Sequence, residues 1–128
     1  MQHVLFVGEI PERVDYSDTA IPPGLNAEKI WAAIHVGEGE LAKQGWDADL
    51  CMIPPDESAG AILGKQLASK HYDCVVIGAG LRLPPKSLLL FEKVVNVVHH
   101  AAPHAIIAFN TQPEDTAVAA LRWLKPSG

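Results

Sequence analysis

The sequence predicts a three-layer α/β fold in which a four-stranded parallel sheet lies between helices. Four short apolar runs have the length of strands, none of them alternates between polar and apolar residues, and a helical pattern separates each pair. Continuous apolar strands are typical of parallel sheets with helices on both faces. We therefore expect one α/β domain over residues 1–128, flavodoxin-like or Rossmann-like, with strand order 2-1-3-4. The predicted strands are residues 4–8, 48–53, 74–78 and 105–109.

The composition is that of an ordinary globular protein and excludes several classes of partner. Hydrophobic residues make up 48% and charged residues 20% of the chain. The net charge is −5 and the ten lysines and arginines are scattered, so we expect no nucleic acid partner. The apolar stretch 88–98 is too short to span a membrane, and no export signal opens the chain. Cys51 and Cys74, both in predicted strands, favour a reducing, cytoplasmic location.

The first helix is predicted from Asn26, as N-cap, to about Lys43, with Gly45 placed to end it. Gly37 and Gly39 lie inside this helix and weaken it, since each interior glycine costs about 1 kcal/mol against alanine. Two interpretations stay open: the backbone packs closely on the sheet there, or the helix breaks.

The second and last helices follow from apolar stripes. Residues 58–69 carry the second stripe (Ala59, Ile62, Leu63, Leu67) after a Pro-Pro stop. The last helix is expected to begin at Thr111, because Thr111 and Glu114 have the spacing of a capping box. Its predicted inward face is Ala117, Val118, Leu121 and Leu124.

The third helix, residues 87–100, has an unusually wide apolar arc over the segment from Leu88 to Val98. One interpretation is burial in a groove between neighbouring elements, and the other is a subunit interface that forms a homo-oligomer such as a homodimer. Trp123, away from the inward face of the last helix, favours the interface.

Ligands of such sheets bind outside the carboxyl ends of the strands, above all where the strand order reverses. The connection 9–25 leaves this edge and is 17 residues long, whereas about 2–6 are usual. We expect a binding loop that closes over a ligand; the alternative is an ordered cover of the sheet edge. Its polar residues include Glu9, Glu12, Arg13, Asp15, Tyr16 and Asp18.

The other candidate ligand-binding residues follow strands 3 and 4. Gly78 and Gly80 would let backbone amides approach a ligand, and Arg82 would bind a carboxylate or phosphate. The alternative for Arg82 is a pair with an acid of the first loop. Asn110 and Thr111 come after strand 4; both are candidate ligand-binding residues, although Thr111 is expected mainly as a helix cap. Glu9, Arg82 and Asn110 form the central constellation, with Glu9 as a candidate catalytic base.

Several known motifs fail on position. Residues 72–80 resemble the opening of a dinucleotide-binding fingerprint, but Leu83 replaces the third small residue and Pro84-Pro85 follow. The cysteine of a small phosphatase, the aspartate of a receiver domain and the serine of a nucleophile elbow are all missing from the expected positions. We expect no cofactor. The histidines show no metal-ligand spacing: His3, His35, His71, His99, His100 and His104.

Residues 72–85, 88–99 and 106–111 resemble an uncharacterised family of small bacterial and fungal α/β proteins with no known activity. The resemblance spans most of the chain but implies no functional residue. The leading hypothesis is therefore a domain that binds an anionic metabolite, with or without catalysis. The alternative is a non-enzymatic oligomerising or partner-binding module that uses the third helix.

Overall fold

The computed structural model describes residues 1–125, which form one parallel sheet with helices on both faces. The strand order is β2-β1-β3-β4 and every neighbouring pair is parallel. Both the predicted fold class and the predicted strand order are confirmed. The strands are β1 (His3–Glu9), β2 (Asp47–Ile53), β3 (Cys74–Ile77) and β4 (Ile106–Phe109).

Five α-helices and three short 3₁₀ turns connect the strands within residues 1–125. The helices are α1 (Ala27–Lys43), α2 (Ala59–Ser69), α3 (Ala79–Arg82), α4 (Leu88–Ala101) and α5 (Thr116–Leu121). The turns are Pro11–Arg13, Pro85–Ser87 and Pro113–Asp115. Side chains of α1 and α5 share one apolar cluster, and side chains of α2, α3 and α4 share the other.

Strand β3 and the middle of β1 are apolar because the sheet is buried on both faces there. Along β1, Val4 belongs to the cluster beneath α1 and α5, whereas Leu5 and Val7 belong to the cluster beneath α2 and α4. Cys74 and Val75 divide in the same way on β3. A strand covered on both sides has no solvent face that would require alternating polar residues.

Helix α1 forms as one continuous element. The Asn26 side chain accepts a hydrogen bond from the amide of Lys29, and Gly45, with φ of +77°, follows its C-terminus. A β-carbon on Gly37 would lie 2.3 Å from the carbonyl oxygen of Pro113. The glycine therefore permits close backbone packing, against the turn before α5 rather than against the sheet itself.

The predicted start of the last helix is wrong. Asp115, not Glu114, is the partner of Thr111: its carboxylate accepts hydrogen bonds from the amide of Thr111, at 3.0 Å, and from the Thr111 hydroxyl. Residues Pro113–Asp115 form a 3₁₀ turn, and α5 begins only at Thr116. The predicted inward position of Val118 is also wrong, since Val118 is 58% exposed while Thr116, Ala119 and Ala120 are buried.

The segment after β3 also differs from expectation. The strand ends at Ile77, and the predicted loop 78–87 contains the one-turn helix α3 and a 3₁₀ turn. Leu81 of α3 is fully buried in the core. This apolar anchor explains why a short helix forms directly before Pro84-Pro85.

Packing within the chain covers most of the apolar arc of α4. Val94 and Val98 are buried, and four further residues pack against the same core: Leu90, Phe91, Val95 and Val97. Leu88 and Leu89, in the first turn, are the large apolar residues of this helix that stay exposed. Elsewhere, Ile62 and Trp123 are also exposed. No helix within residues 1–125 has the length and apolar character needed to cross a membrane.

We predict that Gly37→Ala destabilises the protein and that Gly39→Ala does not. The β-carbon that alanine adds at position 37 would overlap the Pro113 carbonyl, and such overpacking costs about 1–3 kcal/mol. A β-carbon at Gly39 meets no atom within 4 Å, so this variant should gain up to about 1 kcal/mol from helix propensity. Urea unfolding of both variants measures the difference, and equal stabilities would contradict the close contact.

Candidate ligand-binding site

A cavity of about 490 Å³ opens at the carboxyl edge of the sheet. We call it the edge cavity. Its floor includes Gly8 and Glu9 at the end of β1 and Gly78 directly after β3. These two strands are neighbours, and the strand order reverses between them, since β2 lies on the other side of β1. The cavity therefore occupies the crevice in which α/β sheets bind ligands, and its volume is in the range of small-molecule sites.

The walls of the edge cavity come from four parts of the chain. The first loop, residues 10–26, covers the cavity on one side, and the N-terminal half of α1 covers it on another. The β3–α4 and β4–α5 connections complete it. Most of the lining is apolar and includes Phe6, Ile21, Leu25, Ile30, Ile34, Met52 and Leu83, while the charged residues are Glu9, Lys29 and Glu114.

Most of the residues predicted from the sequence meet at this cavity. Its lining includes Glu9, Gly78, Gly80, Asn110 and Thr111. Their positions in the chain are far apart, and the parallel sheet brings them to one edge. The amide of Gly78 is not directed at the cavity for a ligand, because it donates to the carbonyl of Val7 at 2.8 Å.

Arg82 does not line the edge cavity. Its guanidinium donates to the backbone carbonyl of Asn110 at 2.9 Å and lies over the ring of Phe109, with 5.9 Å between the guanidinium carbon and the ring centroid. Arg122 donates in the same way to the carbonyl of Phe109 at 2.7 Å. The two arginines thus bind the carbonyls at the end of the edge strand β4. A pair between Arg82 and an acid of the first loop does not form either.

Asn110 is 1% exposed and holds three segments together. Its Oδ1 accepts from the amide of Ala79 at 2.8 Å, and its Nδ2 donates to Thr116 Oγ1 at 3.1 Å. The side chain therefore fixes the start of α3 and the start of α5 against the end of β4. The Ala79 amide, at the N-terminus of α3, is therefore already bonded and not free to bind a phosphate.

Glu9 is the half-buried acid of the site. Burial raises the pKa of its carboxyl to about 7, and the opposing charges of Lys86 and Arg13 only partly offset this. No hydrogen bond to the carboxylate contributes within residues 1–125. A carboxylate that loses water without gaining a partner prefers its neutral form. Glu9 is therefore a group that changes its charge near neutral pH.

The first loop is attached to the rest of the structure at three places. Lys86 pairs with Asp15 and lies 3.7 Å from Asp18. Arg13 lies 3.6 Å from the carboxylate of Asp56. The indole nitrogen of Trp31 also donates to Glu12 at 2.7 Å. These contacts join residues 10–26 to α1, to the segment before α2 and to the β3–α4 connection.

Lys86 keeps the neighbouring Asp15 of the first loop ionised. Its hydrogen bond, with those of Ser17, lowers the pKa of Asp15 to about 2. A second cavity of about 270 Å³ lies beneath Lys86 and shares Glu9 and Gly80 with the edge cavity. Glu9 thus borders both cavities, and the cations near it are already paired with aspartates.

Sequence reasoning missed Lys86 and Met52. Lys86 lies in the β3–α4 connection, but nothing in the sequence distinguishes it from Arg82 as a partner for the acids of the first loop. Met52, on the edge strand β2, resembles any other strand residue and lines the cavity only because β2 ends beside β1. Within residues 1–125, no group of three or more His, Cys, Asp or Glu side chains is placed to hold a metal ion.

Comparisons with protein-family models, with curated proteins and with solved structures give no match to this chain. The resemblance to bacterial and fungal proteins therefore stays a prediction. The geometry of the edge cavity is the basis for any statement about function.

We predict that the wild-type protein loses stability as the pH rises from 5 to 8 and that Glu9→Gln does not show this loss. The pKa of Glu9 is about 7 in the folded protein against an ordinary value of 4.5. The folded state thus binds more protons between these values, and the free energy of unfolding falls as pH rises through them. The full shift corresponds to about 3 kcal/mol, which solvent screening of a half-buried group reduces to about 1 kcal/mol.

Urea unfolding at pH 5 and pH 8 measures this effect as the difference between wild type and variant. Glu114→Gln is the matched control, because Glu114 is an exposed carboxylate of the same cavity. The Glu9 variant should be more stable than wild type at pH 8 and similar at pH 5. An equal loss in wild type and Glu9→Gln would show that Glu9 is not desolvated.

Proposed function

We propose that this protein is a small-molecule-binding domain and that the edge cavity is its binding site. The observation that carries the proposal is the position of the cavity at the reversal of strand order, between the ends of β1 and β3. Its volume, its apolar lining and its few polar groups are those of ligand sites. The first loop supports it further, since its residues line one side of the cavity.

The charge of the ligand is a separate question. The sequence hypothesis proposes an anionic metabolite bound by Arg82 and oriented by Asn110. In the fold, the guanidinium of Arg82 is bound to a backbone carbonyl outside the lining, and both hydrogen-bonding ends of Asn110 have partners. The Nε of Arg82 is buried without a partner within residues 1–125, so an anion could reach it only if this segment rearranged. Arg82→Ala tests this: an anion that binds the variant as well as wild type does not use Arg82.

Glu9 is the residue that a reaction in this cavity would use. A group with a pKa of about 7 exchanges protons readily near neutral pH, which is what general acid–base catalysis requires. The proposal of binding does not depend on turnover.

We also propose a reducing, cytoplasmic location. Cys51 and Cys74 are free, buried thiols on β2 and β3, and β1 lies between these two strands. They are therefore not placed to form a disulfide with one another.

We predict that Gly80→Leu blocks binding without unfolding the protein. Gly80 lines both cavities, and a β-carbon there meets no atom within 4 Å. A leucine would occupy space at the cavity while leaving the core unchanged. A thermal-shift screen against metabolites should find a ligand that, at 100 times its dissociation constant, adds about 2.7 kcal/mol to wild-type stability. This gain should be lost in Gly80→Leu.

Gly39→Leu is the matched control, because Gly39 also has open space around its β-carbon position and lies outside the cavity lining. It should retain the stabilisation by the ligand. A ligand that stabilises Gly80→Leu as strongly as Gly39→Leu binds elsewhere and would contradict the proposed site.

A second candidate function is self-association through α4. Leu88 is 56% exposed and Leu89 is 79% exposed. Neighbouring apolar residues at a surface are typical of interfaces, which favours this function. Val94 is 1% exposed and belongs to the core, so this interface would be confined to the first turn of α4.

We predict that Leu89→Glu shifts any oligomer toward monomer, because a carboxylate in an apolar interface loses its water without gaining a partner. Light scattering at micromolar concentration measures the molecular mass. Val36→Glu, at an exposed valine of α1, is the control and should leave the mass unchanged. A wild-type protein that is strictly monomeric would contradict self-association.

A further inference from the structure

The carboxylate of Glu9 is the one charged group of the edge cavity that burial penalises and no contact compensates among residues 1–125. Each nearby cation has another partner. Lys86 is paired with Asp15 and Asp18, and Arg13 with Asp56. Both cations act on Glu9 only at longer range, without a direct contact. The site thus contains an acceptor for a positive charge that the protein itself does not supply.

The remaining charges of the cavity agree with this. The ammonium of Lys29 donates to the carbonyl of Gly24 at 2.8 Å, and Glu114 adds a second carboxylate to the lining. Two carboxylates therefore face one ammonium. The hydroxyl of Tyr16, also in the lining, donates to the carbonyl of Pro11 at 2.8 Å, so it is not directed at Glu9.

The rest of the lining favours an apolar body for the ligand. Phe6 and Met52 lie on the sheet side, and Ile30 and Ile34 line the cavity from α1. A cavity of about 490 Å³ with this lining takes a molecule of small-metabolite size whose apolar part is removed from water.

We propose that the edge cavity binds a small, mainly apolar molecule with one protonated nitrogen, and that this nitrogen pairs with the carboxylate of Glu9. The inference rests on the proposed function and narrows it to a class of ligand. The ammonium replaces the water that Glu9 lost on folding, and a charge-assisted hydrogen bond in a shielded cavity is stronger than one in water. An anion would face Glu9 and Glu114 instead and would be repelled.

The test uses matched triplets of probes that differ only in their end group. Tryptamine, tryptophol and indole-3-propionate present an ammonium, a hydroxyl and a carboxylate on the same indole body, and phenyl and cyclohexyl triplets extend the range. Calorimetry or NMR titration at pH 8 measures the dissociation constants. The ammonium member should bind at least about tenfold more tightly than the other two in the triplet that fits the cavity.

Variants and pH identify the group responsible. Glu9→Gln should remove the ammonium preference, whereas Glu114→Gln should change the affinity by less than about threefold, since Glu114 is exposed. In wild type, ammonium affinity should fall at least about tenfold from pH 8 to pH 5, because Glu9 takes up a proton. Lys86, Arg13 and Asp15 also face Glu9. The pKa of Lys86 is raised and that of Asp15 is lowered to about 2, so neither group changes its charge between pH 8 and pH 5.

Three results would overturn the proposal: tighter binding of the carboxylate member, an ammonium preference that persists in Glu9→Gln, or no binding by any ammonium probe. The experiment also distinguishes a wrong ligand class from a wrong binding site. A hydroxyl or carboxylate probe that binds wild type but not Gly80→Leu upholds the edge cavity as the site and refutes only the ligand class.

Discussion

The position of β1 inside the sheet is the constraint on which the rest of the structure depends. Strand β1 is hydrogen-bonded to β2 on one side and to β3 on the other. The chain therefore adds β2 on one side of β1 and later crosses to the other side to add β3. The connections after β1 and β3 therefore diverge and leave a crevice at the carboxyl edge. Glu9, the last residue of β1, stands in that crevice.

The polar contacts around the crevice stabilise its shape, but none of those in residues 1–125 is a hydrogen bond to the carboxylate of Glu9. The side-chain amide of Asn110 forms hydrogen bonds with Ala79 and Thr116. The ammonium of Lys86 forms ion pairs with the aspartates of the first loop. These bonds fix the walls of the edge cavity, and preformed walls lower the entropic cost of binding the ligand that we propose. Burying a carboxylate without a partner opposes folding, and carboxyl groups with strongly raised pKa values are concentrated at functional sites.

The sequence was enough to predict the sheet but not the contacts made in its connections. Apolar runs without alternation indicate strands covered on both faces, and their spacing leads to the parallel order that the structure confirms. The edge at which the candidate site residues meet follows from that order.

Arg82 illustrates the limit of prediction from sequence, because nothing local indicates that its guanidinium binds a backbone carbonyl of another segment. Thr111 and Glu114 had capping-box spacing, but Asp115 is the acid that Thr111 contacts, because a proline-led 3₁₀ turn precedes the helix. Both residues lie in connections, where a single tertiary contact decides the conformation.

The ionisation of Glu9 in the free protein tests the account most directly. A ¹³C NMR titration of its side-chain carboxyl carbon, assigned by its loss in Glu9→Gln, follows this one group from pH 3 to pH 9. The account predicts a midpoint at about pH 7, the result of burial without a partner. A midpoint near the ordinary value of 4.5 would show that Glu9 is solvated or paired, and would contradict the role given to it in the edge cavity.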